Sequence, residues 1–264
     1  MRNKLIFMRK NLSFLSSNGV LAANLYYEGQ SSQDLYIIMH GFMGSMNFKF
    51  LQQIRKLLES KCHAVLLFDF DGHGQSEGRF QDMTVQTELE DARAVYAVAA
   101  TWPWVRRIHL IGHSQGGVVA GLLAGELGAE KVASLIQLAP AAVLHDDALE
   151  GHIMNAKFDR DTIPEYVRVF FVKKVGRSYF EMAQKLDIYG RSCSYNGPVC
   201  LIHGTEDKIV PYSYSEHYQS QYPNAELHLV KGENHIFSKQ PQEALVYILN
   251  FIELQNYKSC ARHV

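Results

Sequence analysis

One stretch limits what this chain can become: Arg107-Ile108-His109-Leu110-Ile111, then Gly112-His113-Ser114-Gln115-Gly116-Gly117, then Val118-Val119-Ala120-Gly121-Leu122-Leu123-Ala124. The first run reads as a buried strand and the last as a helix with an apolar face. A strand, a sharp turn and a helix form the setting of a nucleophile elbow, in which Ser114 sits on a strained backbone with its hydroxyl projecting from a sheet. Gly112 and Gly116 belong to that reading because a side chain at either place would collide with the neighbouring strand or helix. Gly-x-Ser-x-Gly alone is a weak signal, and the competing reading is a structural Gly-rich turn. The flanking elements and the partners further along the chain are what strengthen it.

Those partners sit in a regular alternation. Leu12–Leu15 and Val20–Tyr27 flank Ser16-Ser17-Asn18-Gly19 and predict an opening antiparallel pair. Strands are then expected at Leu35–Met39, Ala64–Phe68, Val132–Leu138, Pro198–His203 and Leu227–Val230. Helices are expected over Phe48–Ser60, Thr84–Thr101, Ser213–Ser220 and Pro241–Leu254, with a frayed tail from Asn256. Strands alternating with helices predict an α/β fold with a mostly parallel central sheet and helices on both faces. Between residues 141 and 196 the alternation is lost, so that segment reads as an insertion into a core made of 1–140 and 197–264.

At 264 residues one core of this class is the expectation. Lys and Arg number 26 against 27 for Asp and Glu, and no basic stripe stands out that would neutralise phosphates or grip anionic lipid. Neither nucleic acid nor a membrane is therefore an expected partner. The apolar stretch Leu5–Met8 near the N-terminus is too short for a signal-peptide core, and nothing approaches a membrane span. Cys62, Cys193, Cys200 and Cys260 show neither zinc-ligand spacing nor the density of a disulfide framework. A cytoplasmic protein with reduced thiols is the expectation.

A serine hydroxyl needs a base within hydrogen-bond reach, and the base needs an acid to hold its tautomer. The Pro198–His203 strand is followed by Gly204-Thr205-Glu206-Asp207, and the strand ending at Val230 by Gly232-Glu233-Asn234-His235. In a parallel sheet both loops leave on the edge that carries Ser114. His235 is the expected base and Asp207 the expected acid, with Glu206 as the rival carboxylate and His40, His73, His113 and His203 as rival histidines. A metal reading of so many histidines finds no His-x-His or His-Glu-x-x-His spacing to support it. The oxyanion donors are expected to be the backbone N–H groups of Gln115 and of Phe42, the latter in His40-Gly41-Phe42.

Taken together, His40-Gly41-Phe42, Asp71-Gly72-His73-Gly74, the elbow, His203-Gly204-Thr205-Glu206-Asp207 and Gly232-Glu233-Asn234-His235 resemble the α/β-hydrolase fold over nearly the whole chain. More narrowly, Leu138–Ala142 running into Asp147–Gly151, with Tyr179 in the insertion, resembles the intracellular cinnamoyl (feruloyl) esterases of intestinal bacteria. That resemblance implies an inserted cap over the serine, an aromatic acyl pocket, and Asp147 and Tyr179 as the residues that bind the ring hydroxyls. The alternative for Asp147 is a helix N-cap, and for Tyr179 a core position. Met154 departs from the pattern, since a polar residue would suit a second ring contact and Met offers only packing. The resemblance implies no cofactor, a small aromatic ester as substrate, and is compatible with a homodimer.

The rival functions on the same triad are a monoacylglycerol lipase, a serine aminopeptidase and a carbon–carbon bond hydrolase, because specificity lies in the cap. A rival of another class is a noncatalytic ligand-binding protein on the same scaffold.

Overall fold

The computed structural model describes residues 7–29 and 32–261, with side chains through Tyr257. Leu5 and Ile6 of the Leu5–Met8 stretch lie outside these residues, as do the side chain of Cys260 and the last three residues. In chain order the elements are β1 (Met8–Leu15), β2 (Val20–Tyr27), β3 (Gln33–Met39), α1 (Lys49–Ser60), β4 (Ala64–Phe68), α2 (Val85–Ala99), β5 (Val105–His113), α3 (Gln115–Leu127) and β6 (Ser134–Leu138). After β6 the chain leaves the sheet for α4 (Val143–Glu150), the small hairpin of β7 (His152–Ile153) and β8 (Ala156–Lys157), and a second hairpin of β9 (Tyr166–Val169) and β10 (Lys173–Gly176). It continues through α5 (Arg177–Ala183) and α6 (Ile188–Ser192), then returns as β11 (Val199–Gly204), α7 (Ser213–Gln221), β12 (Ala225–Val230) and α8 (Pro241–Ala261).

Eight strands form one sheet in the order β1-β2-β4-β3-β5-β6-β11-β12. β1 and β2 run antiparallel and β2 meets β4 antiparallel, while every pairing from β4 to β12 is parallel. The continuous apolar runs make sense in this setting, because successive residues of a strand point to opposite faces and both faces are covered. Leu35, Ile37 and Met39 of β3 pack with α2 and α3, while Tyr36 and Ile38 pack with α1 and α8. The result is a core on each side of the sheet, with the parallel strands all ending on one edge.

The first hairpin closes as expected through Ser16-Ser17-Asn18-Gly19, with the Ser16 N–H donating to the Gly19 carbonyl at 2.9 Å and a positive φ at Gly19. One local expectation changes. The tail does not fray at Asn256: α8 runs to Ala261, because Pro241 opens it and no Gly or Pro interrupts it afterwards. Among the described residues no helix is long and apolar enough to cross a membrane.

Candidate active site

Ser114 lies between β5 and α3 with φ 56° and ψ −124°, a left-handed conformation that costs a side-chain-bearing residue about 1–3 kcal/mol. The neighbours hold it there. Its N–H donates to the Leu138 carbonyl at 2.9 Å, and its own carbonyl accepts from Gly117 and Ala141. The two elbow glycines are where close approach demands them. A Cβ at Gly112 would stand 2.1 Å from the Gly116 carbonyl oxygen, and one at Gly116 would stand 2.2 Å from the His40 carbonyl oxygen. Both obstacles are backbone and cannot rotate away. Gly116→Ala is therefore expected to destabilise the protein by about 3 kcal/mol, read from urea unfolding; a loss below about 1 kcal/mol would mean that the elbow is far less tightly packed than its geometry indicates.

The Ser114 hydroxyl donates to His235 Nε2 at 2.9 Å, and His235 Nδ1–H donates to Asp207 Oδ2 at 2.7 Å. The acid comes from the loop after β11 and the base from the loop after β12, so the parallel pairing of those strands brings them together. Asp207 is anchored from every side. Its Oδ1 accepts from the N–H groups of Ile209 and Val210, each at 2.9 Å, and its Oδ2 also accepts from His203 Nε2–H at 3.1 Å. Burial by itself would raise this carboxyl, but the hydrogen bonds from His203 and His235 outweigh it and hold Asp207 well below the usual carboxylate range. Glu206, the rival carboxylate, points into solvent and pairs with Lys239 at 2.6 Å.

The rival histidines are occupied elsewhere. His113 donates from Nε2 to the His235 carbonyl at 2.8 Å, which steadies the loop carrying the base, and burial followed by the nearby His235 lowers its pKa to about 3. His40 accepts the Phe70 N–H on Nε2 and donates from Nδ1 to Gly41, with burial lowering its pKa to about 4. His73 donates to the Asp71 carbonyl. His203 Nε2 faces Asp207 and Val210, and its Nδ1 faces the Ser215 hydroxyl at 2.7 Å. None of these reaches Ser114. Among the described residues one group of mixed donors, Cys200, Glu226 and His228, has ligand atoms within 4.8 Å of one another. It crosses from β11 to β12 and shares no residue with the serine site, and a linear motif could not have found it.

The two expected oxyanion donors are free to act. Among the described residues neither the Phe42 N–H nor the Gln115 N–H is engaged in a hydrogen bond. Gly41 leaves the approach to the serine open, since a Cβ there would lie 2.7 Å from the Ser114 Cβ. Beside these groups opens a cavity of about 420 Å3 lined by Phe42, Ser114, Gln115, Leu144, Asp147, Ile153, Met154, Phe170, Tyr179, Phe180 and Ile209, among others. Most of its wall is apolar, with a few polar groups, as in small-molecule sites generally.

Asp147 lies within α4, past its first turn, so the N-cap alternative fails; the cap position is Ala142. Its carboxyl lines the cavity, with His152 Nδ1 at 3.4 Å. Burial pushes its pKa up to about 6, His152 opposes that rise, and Glu150 and Asp146 add to it. Tyr179 is buried in the wall and its hydroxyl donates to Gln115 Oε1 at 2.8 Å. Gln115 Nε2 donates in turn to Glu88 Oε2 at 2.8 Å. Glu88 is fully buried, and burial raises its pKa to about 8, which leaves it largely protonated at neutral pH. Sequence reasoning missed this Glu88–Gln115–Tyr179 chain. The available signal was a carboxylate beside Leu89 on the inward face of α2.

Comparison with known proteins agrees with this geometry. A family model described as "Serine aminopeptidase, S33" matches residues 30–167, which is 138 of the chain's 264 residues. Est1E from Butyrivibrio proteoclasticus, solved with ferulic acid bound, superposes with a TM-score of 0.89 at 29% identity, over 93% of this chain and 99% of that one. The mouse (Mus musculus) palmitoyl-protein thioesterase ABHD10, a mitochondrial protein, is 27% identical over 217 residues, covering 78% of this chain and 69% of the relative. The solved structure of mouse ABHD10 shares the fold, with a TM-score of 0.73 at 21% identity over 93% of this chain and 98% of that one. With the family model matched over more than half its length, a serine, a histidine and an aspartate in hydrogen-bonded sequence and an eight-stranded sheet of this order, the chain belongs to the serine aminopeptidase S33 family of α/β-hydrolase-fold hydrolases.

Proposed function

We propose that this protein is a serine carboxylesterase that hydrolyses hydroxycinnamoyl esters, with feruloyl, caffeoyl and coumaroyl groups as the acyl class. The observation that carries the reading is a Ser114 hydroxyl, hydrogen-bonded to His235, that opens into a largely apolar cavity also lined by Asp147 and Tyr179. The likeness to a structure holding ferulic acid supports the aromatic acyl class.

In this mechanism His235 Nε2 takes the Ser114 proton as the oxygen attacks the ester carbonyl, and Asp207 keeps the proton of the imidazolium on Nδ1. The Phe42 and Gln115 N–H groups receive the oxyanion, a contribution of roughly 3 kcal/mol per donor at comparable sites. His235 then protonates the departing alcohol oxygen. Water, deprotonated by the same imidazole, attacks the acyl-enzyme and releases the acid and free Ser114. Residues 141–196 act as a cap that shapes the acyl pocket on a core of 1–140 and 197–264. Within it, the ionised Asp147 accepts a hydrogen bond from the ring hydroxyl. Tyr179 has its own proton committed to Gln115, so its oxygen is an acceptor toward the substrate as well. We also propose a cytoplasmic setting, supported by the sparse cysteines, of which Cys62, Cys193 and Cys200 are free thiols.

A second reading, hydrolysis of a long-chain acyl thioester, is favoured by the likeness to ABHD10 and by the apolar cavity wall. Initial rates on methyl ferulate, methyl caffeate, p-nitrophenyl butyrate and a palmitoyl thioester separate the two. The highest kcat/KM is expected on the cinnamoyl esters; if the palmitoyl thioester ranks first, the cinnamoyl assignment fails and the triad chemistry stands.

The ring contact makes its own prediction. The ratio of kcat/KM for a free-phenol ester to that for its 4-O-methyl ether should fall as the pH drops through about 6, because protonation turns Asp147 from a charged acceptor into a weaker, neutral one. Taking the ratio cancels the titration of groups common to both substrates. In Asp147→Asn the ratio should be low and flat with pH, and a ratio that keeps its wild-type pH dependence removes Asp147 from ring recognition.

A further inference from the structure

Taken over the whole chain, positive and negative charges nearly balance, but the fold does not distribute them evenly. Tyr166–Arg177, which spans the β9–β10 hairpin, carries Arg168, Lys173, Lys174 and Arg177 and no carboxylate. The expectation that no basic stripe exists is revised here. Arg168, Lys173 and Lys174 line a surface groove with Arg79, whose guanidinium pairs with Asp82.

The tip between the strands is Phe170-Phe171-Val172, with Lys173 opposite Val169 in the ladder. Phe171 is 86% exposed and Val172 74%. Phe170 and Phe171 have φ of 48° and 62°, a left-handed conformation unfavourable for bulky residues and repaid at Phe171 by no burial. The base of the hairpin is firmly held: Val167, Val169 and Val175 are buried, and the Phe170 N–H donates to Asn155 Oδ1 at 2.9 Å. The tip is thus an apolar prong on a rigid stem. Lys174 lies 4.0 Å from the Tyr166 ring centroid and Lys173 5.0 Å from that of Phe80, so cations and rings form one collar below it. Phe170 at the root of the tip also lines the active-site cavity.

We propose that this hairpin seats the protein on an anionic phospholipid surface, with Phe171 and Val172 below the headgroups, the cations at the phosphates and the cavity mouth facing the interface. An apolar tip ringed by Lys and Arg matches that partner in both hydrophobicity and charge. An acidic polypeptide would match the cations and leave Phe171 and Val172 in water. A second copy of the chain meeting this hairpin about a two-fold axis would set its four cations against the same four. Substrate dissolved in the lipid would then reach Ser114 past Phe170 without crossing bulk water.

The test uses the full chain with no ester present, sedimented with vesicles of phosphatidylglycerol and phosphatidylcholine or of phosphatidylcholine alone. Binding to the anionic vesicles is expected, about tenfold or more weaker on phosphatidylcholine and in about 1 M salt, where screening is nearly complete. Phe171→Asp/Val172→Asp and Lys173→Glu/Lys174→Glu should each lose that binding and keep wild-type rates on soluble p-nitrophenyl butyrate, which also shows that they are folded. Wild-type protein left in the supernatant, or both variants binding normally, overturns the proposal. So does light scattering that shows a dimer lost in the Asp pair without vesicle binding, since the hairpin would then dock a second copy. None of these readouts depends on the cinnamoyl assignment.

Discussion

Ser114→Ala is expected to lower kcat on the best ester by about a millionfold while leaving the fold intact, because the nucleophile and its base act as one unit. The residue of activity, roughly a thousandfold over water, would come from the Phe42 and Gln115 donors and from binding. Ser114→Gly adds a control that separates chemistry from strain. It removes the same oxygen, and glycine adopts φ 56°, ψ −124° without penalty. The glycine variant should therefore be as inactive as the alanine variant and more stable by about 1 kcal/mol, the relieved strain less the extra freedom of the unfolded chain. Equal rates in wild type and Ser114→Ala would remove Ser114 as the nucleophile. Equal stabilities of the two variants would mean that the elbow is unstrained.

The second large effect is Asp207→Asn, expected to cost about ten-thousandfold in kcat with little change in KM. An amide oxygen could still accept one imidazole N–H, but the amide nitrogen is a donor, and Asp207 Oδ2 now receives both His235 Nδ1–H and His203 Nε2–H. If the NH2 faces His235 it drives that ring to the Nε2–H tautomer, which can no longer take the serine proton. If it takes the place of Oδ1 instead, it meets the N–H donors of Ile209 and Val210. The same change has a stability signature. The Asp207 carboxyl is held below its ordinary pKa, so it contributes stability at pH above the unfolded-state value of about 4 and loses it as the pH falls toward the depressed folded value. The stability gap between wild type and variant should be widest near neutrality and narrow below about pH 4. A gap that widens in acid would contradict the assigned ionisation.

Much of this molecule was legible before its structure. β4 runs over Ala64–Phe68 as its apolar run predicts, and Thr84 caps α2 at the expected boundary. Ser114, Asp207 and His235 converge as the loop positions imply. These features are local or follow from topology: a strand covered on both faces must be apolar throughout, and loops after parallel strands must share an edge. The elbow glycines were legible for the same reason, since a turn that tight excludes a Cβ whatever surrounds it.

Other features depended on residues far apart in the chain. Asp147 lines the cavity beside His152, and its helix begins at Val143, earlier than an N-cap at Asp147 would place it. Glu88 looks like an ordinary helix carboxylate until Gln115 and Tyr179 close over it. Arg168, Lys173 and Lys174 stand within three residues of Phe171 yet vanish into a balanced charge count, and only the fold leaves Phe171 exposed among them and adds Arg79 to the groove. The sequence by itself determined the sheet, the elbow and the order of the three triad residues, because backbone sterics and hydrophobic periodicity act over a few residues. Tertiary structure alone decided which buried polar groups meet and which apolar ones stay exposed, because desolvation and hydrogen bonding depend on what packs alongside, and the chain does not write its neighbours next to one another.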